Sequence, residues 1–187
     1  MSEMAQSTQE GVETMHADVR SGFGPTDEEI VRSAWQHADS GGNDRRLDLA
    51  WAAGFFDGEG YIGINPARRS RNNTRSYTLV TTVGQVGPEP IHKLQSILGG
   101  RVYRYEKRPD NRGAVSVWQA SSGSAAMALS MMLPFLVVKS EQAALALEFQ
   151  RTKGSRPGAA LTDEEAARQR AYSNRLKELR AKIKANS

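Results

Sequence analysis

The stretch from residue 47 to residue 64, LDLAWAAGFFDGEGYIGI, restricts the possible folds of this 187-residue chain more than any other part. No proline interrupts its first part, which can therefore be a helix. Leu47, Trp51 and Phe55 recur every fourth residue, which predicts a large apolar face on that helix. A short apolar run beginning at Tyr61 follows directly and predicts a β-strand.

Two acidic residues, Asp57 and Glu59, lie where the predicted helix ends. Gly58 and Gly60 suit a helix C-terminus that turns sharply into a strand. The C-terminal end of a helix dipole disfavours negative charge, so carboxylates held there need a compensating partner. A divalent cation is the natural partner, and the carbonyl oxygen of Gly58 can add a further ligand. Asp57 has two other interpretations, since it can support the helix end or simply be exposed.

A second face of the same helix is made of small residues. It comprises Ala50, Ala53, Gly54 and Asp57. No large side chain on this face holds another backbone away, so a second helix can approach it very closely.

The composition excludes several classes of protein. The chain has no cysteine, which excludes disulfides and thiolate metal sites. No apolar run approaches the roughly 20 residues that span a bilayer, and the N-terminus lacks a hydrophobic signal core. We therefore expect a soluble intracellular protein located in the cytoplasm, with no membrane partner and no small-molecule cofactor.

Charge is distributed unevenly, although the formal net charge is only +4. Residues 1–50 contain four Lys and Arg against ten Asp and Glu, whereas residues 61–113 contain ten against three. Residues 139–187 contain eleven against six. Basic charge concentrated after the motif suits a nucleic-acid face. A solvated surface gives the same pattern, so charge alone leaves both interpretations open.

The remaining chain alternates between strand and helix patterns. Strands are expected at 61–67, 75–86, 101–108 and 114–120, and helices at 91–98, 121–132, 139–153 and 162–184. This order predicts an α+β fold in which one four-stranded antiparallel sheet carries helices on one face. It divides the chain into an acidic tail with one short helix (1–44), a central domain (45–153), and a loop with a basic helix (154–187).

Helix caps are expected at two places in this pattern. Ser121 or Ser122 is expected to cap the helix that follows the fourth strand. Thr162 and Glu165 are spaced as a capping box at the start of the last helix.

The residues of the central motif resemble a known signature. Residues 52–60, AAGFFDGEG, are similar to the nine-residue motif of the LAGLIDADG homing endonucleases. Ala52 departs from the family, which usually has leucine at this position. Glu59 stands at the second acidic position, where the family accepts either Asp or Glu.

Further landmarks follow in the order that the family shows. Gln85 matches a glutamine at the end of the second strand, and Gly99-Gly100 matches a glycine break before the third. Residues 134–142, PFLVVKSEQ, are similar to the family's segment that runs from a proline to a lysine and opens a helix. The resemblance extends over about residues 47–151.

The resemblance implies an αββαββα fold with a saddle-shaped sheet. It implies a site-specific endonuclease that hydrolyses both strands of DNA with a divalent metal ion, Mg²⁺, and that is encoded by an intron, an intein or a free-standing mobile gene. Because only one motif is present, it implies a homodimer on a long pseudo-palindromic site. The dimer contact would be the small face formed by Ala50, Ala53, Gly54 and Asp57.

Three residues match the catalytic positions of the family. Glu59 would bind the metal together with Gly58 and Asp57, Gln85 would position the attacking water, and Lys139 would stabilise charge near the scissile phosphate. Strand alternation places Val102 inward and its odd-numbered neighbours outward. The candidates for DNA contact are Arg68, Arg69, Arg71, Arg75, Arg101, Tyr103, Arg104, Tyr105, Lys107, Arg108 and Arg112.

Two other functions remain open from the sequence. The same fold can be kept for DNA binding or as an intron RNA maturase after cleavage is lost, although an intact Glu59 argues against lost cleavage. A structural or regulatory protein whose basic hairpins contact another acidic partner is the second.

Overall fold

The structure is a computed structural model that describes residues 42–67, 76–106, 113–153 and 161–185. The short helix expected in the N-terminal tail lies outside these residues. In chain order the elements are α1 (Gly42–Glu59), β1 (Gly60–Pro66), β2 (Tyr77–Gln85), α2 (Pro88–Leu98), β3 (Arg101–Tyr105), β4 (Val115–Ser121), α3 (Gly123–Met132), a 3₁₀ turn (Leu133–Phe135), α4 (Ser140–Thr152) and α5 (Asp163–Ala185). None of the described helices is both long and apolar enough to cross a membrane.

The four strands form one antiparallel sheet in the order β1-β2-β4-β3. This arrangement confirms the predicted α+β fold. Gly60 at the start of β1 pairs with Val83 near the end of β2, and Val83 pairs with Trp118 on β4. The beginning of β1 and the end of β2 therefore lie at the same end of the sheet.

Alternation along each strand separates a buried face from an open face. Leu79 and Val83 on β2 are almost fully buried beneath the helices. Trp118 on β4 is also fully buried, and its indole N–H donates to the carbonyl oxygen of Gly99 at 2.7 Å. Its ring meets Phe56 of α1 edge-on, with centroids 6.4 Å apart. An aromatic pair of this geometry stabilises the fold by about 1 kcal/mol beyond the area that it buries.

The face of α1 that enters the core differs from the expected one. The fully buried side chains of α1 are Leu49, Ala52, Ala53 and Phe56. Leu47, by contrast, is 62% exposed, and Trp51 and Phe55 are half-buried and stacked on each other at 5.4 Å. The four-residue spacing identified a real row of apolar residues. The small alanines of the neighbouring row allow closer packing of the helix, so that row forms the core contact.

The junction between α1 and β1 requires glycine at position 60. A Cβ atom at Gly60 would lie 2.4 Å from the carbonyl oxygen of Phe56. The helix passes directly into the strand, as expected, and neither Gly58 nor Gly60 has a positive φ. A steric contact, and not an unusual backbone conformation, excludes larger residues here.

The two capping predictions have opposite outcomes. The N–H of Glu165 donates to Thr162 Oγ1 at 3.1 Å, and the N–H of Thr162 donates to Glu165 Oε2 at 3.0 Å, which confirms the capping box. The side-chain cap predicted for α3 is wrong, because Ser122 has a φ of 51° and makes no such bond. Its N–H instead donates to the carbonyl oxygen of Leu79 at 2.8 Å and ties the end of β4 to β2.

Helix α5 packs along the edge strand β1. The hydroxyl of Ser173 donates to the carbonyl oxygen of Ile64 at 2.7 Å, and Gln169 Oε1 accepts the N–H of Tyr77 at 2.9 Å. Leu176 is fully buried between these contacts and the rest of the core. An open edge strand presents unpaired backbone groups, and α5 satisfies one of them. The last helix is therefore part of the same packed unit as the sheet.

Candidate active site and nucleic-acid interface

The carboxylate of Asp57 joins the end of α1 to the start of α4. Asp57 Oδ2 accepts the N–H groups of Val137 at 2.7 Å and Val138 at 3.1 Å, and Oδ1 accepts the N–H of Lys139 at 2.9 Å. Unpaired N–H groups at a helix start carry partial positive charge and favour an anion. The partner that compensates Asp57 is therefore the N-terminus of α4. Because both oxygens are engaged, we assign Asp57 to helix support and not to metal binding.

Lys139 is held at the same junction. Its Nζ donates to the backbone carbonyl oxygen of Asp57. Partial burial of the ammonium group is the largest effect on the side chain, and it lowers the pKa of Lys139 below its ordinary value. The negative charges of Asp57 and Glu59 oppose this effect and raise the same pKa. Lys139 thus lies within electrostatic reach of the Glu59 carboxylate.

Glu59 and Gln85 lie at the end of the sheet that this junction adjoins. Glu59 is the last residue of α1 and is exposed, as is Gly58, and it forms no ion pair with a described residue. Gln85 is the half-buried last residue of β2. Gly60 pairs with Val83, so Glu59, one residue before Gly60, and Gln85, two residues after Val83, lie at the same end of the two strands. Glu59 and Gln85 thus lie at the end of the sheet that adjoins the junction holding Lys139, although the three residues are far apart in sequence.

The described residues supply few metal ligands at this point. No group of three or more His, Asp or Glu side chains within the described ranges is arranged to hold a metal ion. With Asp57 occupied, each chain offers the carboxylate of Glu59 and the carbonyl oxygen of Gly58. A cation bound here needs further oxygen atoms from outside the chain.

On the open face of the sheet, polar and aromatic side chains share the surface with the half-buried Val80, Val115 and Val117. On β3, Arg101 is exposed and Tyr103 and Tyr105 are 39% and 55% exposed, as alternation predicts, while Val102 packs against the core. Arg104 shares the parity of Val102, is exposed, and has its Nε 2.9 Å from Glu106 Oε1, and its contact with DNA stays a prediction. The other candidates for DNA contact lie outside the described residues: Arg68, Arg69, Arg71, Arg75, Lys107, Arg108 and Arg112.

Residues of the other strands complete this open face but were not among the sequence candidates. Their side chains have the parity opposite to the buried ones: Tyr61, Asn65, Thr78, Thr82, Gln119 and Ser121. The selection of candidates by positive charge and by aromatic residues on β3 missed them. The alternation in β2 and β4 was the signal that identifies them.

The small face of α1 is only partly available to a partner. Ala50 and Gly54 are exposed, but Ala53 is fully buried in its own chain, so the prediction that Ala53 lies in a dimer interface is wrong. Ala53 adjoins the core row of α1 and its side chain turns inward. The exposed apolar residues near this face are Leu47 on α1 and, after the 3₁₀ turn, Val137 and Val138, which are 81% and 48% exposed.

Loss of the Asp57 charge is expected to destabilise the fold. In Asp57→Asn the amide group cannot accept all three N–H bonds, so we expect the free energy of unfolding to fall by about 2 kcal/mol. Denaturant unfolding measures this change. Asp48→Asn is the matched control, because Asp48 forms only a surface pair with Lys93 at 3.7 Å and its loss is expected to change stability by less than about 1 kcal/mol. Equal effects of the two variants would contradict the helix-support role.

The pKa of Lys139 is expected to respond to Glu59. In the metal-free protein Lys139 should lose its proton below 10.5. Removing the negative charge in Glu59→Gln should lower the pKa further, because that charge favours the protonated form. Between the lowered pKa and 10.5, Lys139 is more protonated in the unfolded chain than in the folded one. The contribution of Lys139 to the free energy of unfolding therefore increases as pH rises through this range. NMR titration of the lysine side chain measures both pKa values, and a higher pKa in the variant would contradict the geometry.

Comparison with known proteins finds relatives through structure. No family model and no curated protein matches the sequence. The homing endonuclease I-CvuI in complex with the I-CreI target, with 2 mM Mg and uncleaved DNA, has a TM-score of 0.58 and 26% identity over 72% of this chain and 82% of that chain. I-CvuI in complex with its target Sro1.3 and 2 mM Ca has a TM-score of 0.56 and 25% identity over 71% and 82%.

A further solved structure has the same fold at lower identity. The archaeal intron-encoded homing endonuclease I-Vdi141I, complexed with DNA, has a TM-score of 0.56 and 16% identity over 72% of this chain and 84% of that chain. These structural neighbours are LAGLIDADG homing endonucleases, and the chain shares with them the helix that carries the signature and the four-stranded antiparallel sheet that follows it.

Proposed function

We propose that the chain is a metal-dependent, site-specific endonuclease of double-stranded DNA. The observation that supports this proposal is the Asp57 junction, which holds Lys139 at the end of α1, two residues before Glu59. The two I-CvuI complexes with DNA, at 26% and 25% identity, support the same activity. No observation on the described residues favours a function limited to DNA binding or RNA splicing.

Hydrolysis of a phosphodiester makes three demands on a site. The attacking water must lose a proton, the charge on the phosphate must be neutralised, and the leaving oxygen must be stabilised. Glu59 and the carbonyl oxygen of Gly58 would hold a divalent metal ion, which would supply Lewis acidity for these tasks. Mg²⁺ fits the donors present, because it is commonly held by one or two carboxylates and by substrate phosphates while it keeps several waters.

The chain's own residues orient the reaction. The Gln85 amide, at the end of β2, holds a water in line with the phosphate by donating or accepting a hydrogen bond. The Lys139 ammonium group, anchored by the Asp57 carbonyl oxygen, places a positive charge next to the phosphate. Partial burial makes this charge act in a medium of lower dielectric than water, which strengthens its interaction with a developing negative charge.

The active molecule is a homodimer in this proposal. Gly54 and Gly58 lie four residues apart on α1, are both exposed, and would have nothing within 4 Å of an added Cβ. Glycine within a helix is about 1 kcal/mol less stable than alanine, and here no contact with a described residue requires it. A second α1 that packs closely across a two-fold axis gives these glycines a role. The symmetry of such a dimer requires a pseudo-palindromic site.

Loss of the Glu59 carboxylate is expected to abolish cleavage and preserve binding. Glu59 is exposed, so Glu59→Gln should fold normally. The substrates are duplexes that the wild-type protein cleaves in Mg²⁺. We expect the variant to cleave them at least about a hundredfold more slowly, while the amount of the same DNA that it retains on a filter stays within a few-fold of wild type. Gel separation of products and a filter-retention assay measure the two quantities.

A matched variant controls for the change in net charge. Glu164→Gln removes one exposed carboxylate from the first turn of α5, remote from the junction in sequence, and should cleave like wild type. Cleavage by Glu59→Gln at the wild-type rate would contradict the metal-ligand role. Cleavage equally reduced in both variants would show a general charge effect instead.

A larger residue at Gly54 is expected to separate the dimer. Gly54→Leu has open space within its own chain, so the subunit should remain folded while two α1 helices can no longer approach. Sedimentation should show a dimer for wild type and a monomer for the variant. Ala167→Leu adds the same bulk at an exposed position on α5 and should remain dimeric. An unchanged dimer in Gly54→Leu would contradict the proposed interface.

A further inference from the structure

Helix α5 carries cations along the side that adjoins the open face of the sheet. Tyr61 belongs to the open face of β1, and its ring lies over Gly63, where an added Cβ would be 2.5 Å from the ring. The guanidinium group of Arg180 stacks on this ring, 4.8 Å from the centroid. The C-terminal half of α5 is thereby fixed at the β1 edge of the open face.

Arg180 has a charge that the described residues do not neutralise. It forms no ion pair with a described carboxylate, and its Nε is buried without a hydrogen-bond partner. The contact with Tyr61 holds the guanidinium group over the ring. A guanidinium group held in place without a carboxylate partner among the described residues fits an anion with several oxygen atoms, such as a phosphate.

Two more cations share this side of the helix. At roughly 100° per residue, Lys177 and Arg170 project from the flank of α5 that includes Ser173 and Arg180. Both are exposed. We call Arg170, Lys177 and Arg180 the edge cations.

The acidic residues of α5 are not spaced to pair with the edge cations, and Asp163, which shares their flank, stands seven residues before Arg170. No Asp or Glu stands three or four residues from any edge cation. Arg168 on the opposite flank, in contrast, has Glu164 four residues before it, and Arg175 has Glu178 three residues after it. Acids at these spacings stabilise a solvated helix by ion pairing. Their absence beside the edge cations leaves those positive charges available to an external anion.

The width of the sheet is similar to the width of a DNA major groove, which puts these cations near the phosphates at the edge of the groove. Three spacings of about 4.8 Å separate β1 from β3, which gives a sheet roughly 14 Å wide, and a major groove is about 12 Å wide. A sheet in that groove brings both edges to the flanking phosphates. We infer that the edge cations bind backbone phosphates on the β1 side of the DNA target. This inference rests on the proposed function and adds a contact surface outside the two hairpins.

The test compares the salt dependence of DNA binding in matched pairs of variants. Arg170→Gln with Lys177→Gln removes two exposed edge cations, and Arg168→Gln with Arg175→Gln removes the same charge from the opposite flank. A fluorescent random-sequence duplex is titrated by anisotropy over roughly 50 to 200 mM salt without added metal, since binding to such DNA depends on phosphate contacts. The edge pair should bind more weakly, and its log–log salt slope should be shallower by about two.

Each outcome decides a different claim. The opposite-flank pair should keep the wild-type slope. If the edge pair also keeps it while wild type binds DNA, the inference is overturned and the proposed function stands. If both pairs lose slope equally, net charge and not position is responsible, and the inference is again overturned. If wild type binds no duplex at any salt concentration, the proposed function fails as well. Arg180→Gln, tested alone, should lower the slope by about one.

Discussion

The contact of the Asp57 carboxylate with the N-terminus of α4 is the interaction on which the proposed site depends. It joins two elements about 80 residues apart in sequence, with three N–H groups meeting two carboxylate oxygens. The partial positive charge of the α4 N-terminus offsets the unfavourable position of an acid at the end of α1. Lys139 is brought to this junction by both its backbone and its side chain. The contact therefore helps to fix Lys139 relative to the end of α1, where Glu59 stands.

The sheet has one face packed and one face free, and this asymmetry accounts for the placement of the charged groups. The helices cover one side, so the side chains of alternate strand residues can serve another molecule. The carboxylate of Glu59 belongs to the end of the sheet at the α1–β1 junction. Only glycine fits at position 60 of this junction, because a Cβ there would meet Phe56. Cations stand at the edges, Arg101 on β3 and Arg180 beside β1. In the proposed function, this arrangement keeps the Glu59 carboxylate away from the face that would meet the DNA phosphates.

Much of the fold followed from local patterns in the sequence. The strands alternate clearly, and glycine and proline mark their ends, so the order of elements and the antiparallel sheet were predictable. The capping box at Thr162 depends only on residues three apart and was also predictable. The missing side-chain cap at Ser122 was not, because its backbone conformation is set by the pairing of β4 with β2. Ala53 was misplaced because two adjacent rows of α1 are both apolar, and only packing decides which is buried.

The site was predictable as a set of residues but not as an arrangement. The motif singles out Asp57 and Glu59 together, and nothing local distinguishes an acid that caps a distant helix from one that is free to bind a metal. That difference depends on contacts between residues 57 and 137–139, which only the folded chain provides. The stacking of Arg180 on Tyr61 is another contact over a long sequence separation, and the sequence carries no signal for it.

The most direct test is to incubate the purified protein with a library of randomised duplex DNA, with Mg²⁺ and separately with EDTA, and to sequence the newly formed ends. The account predicts ends that form only with the metal and that fall within one long pseudo-palindromic sequence. Ends that form equally in EDTA, or retention of one sequence without any cutting in Mg²⁺, would contradict it.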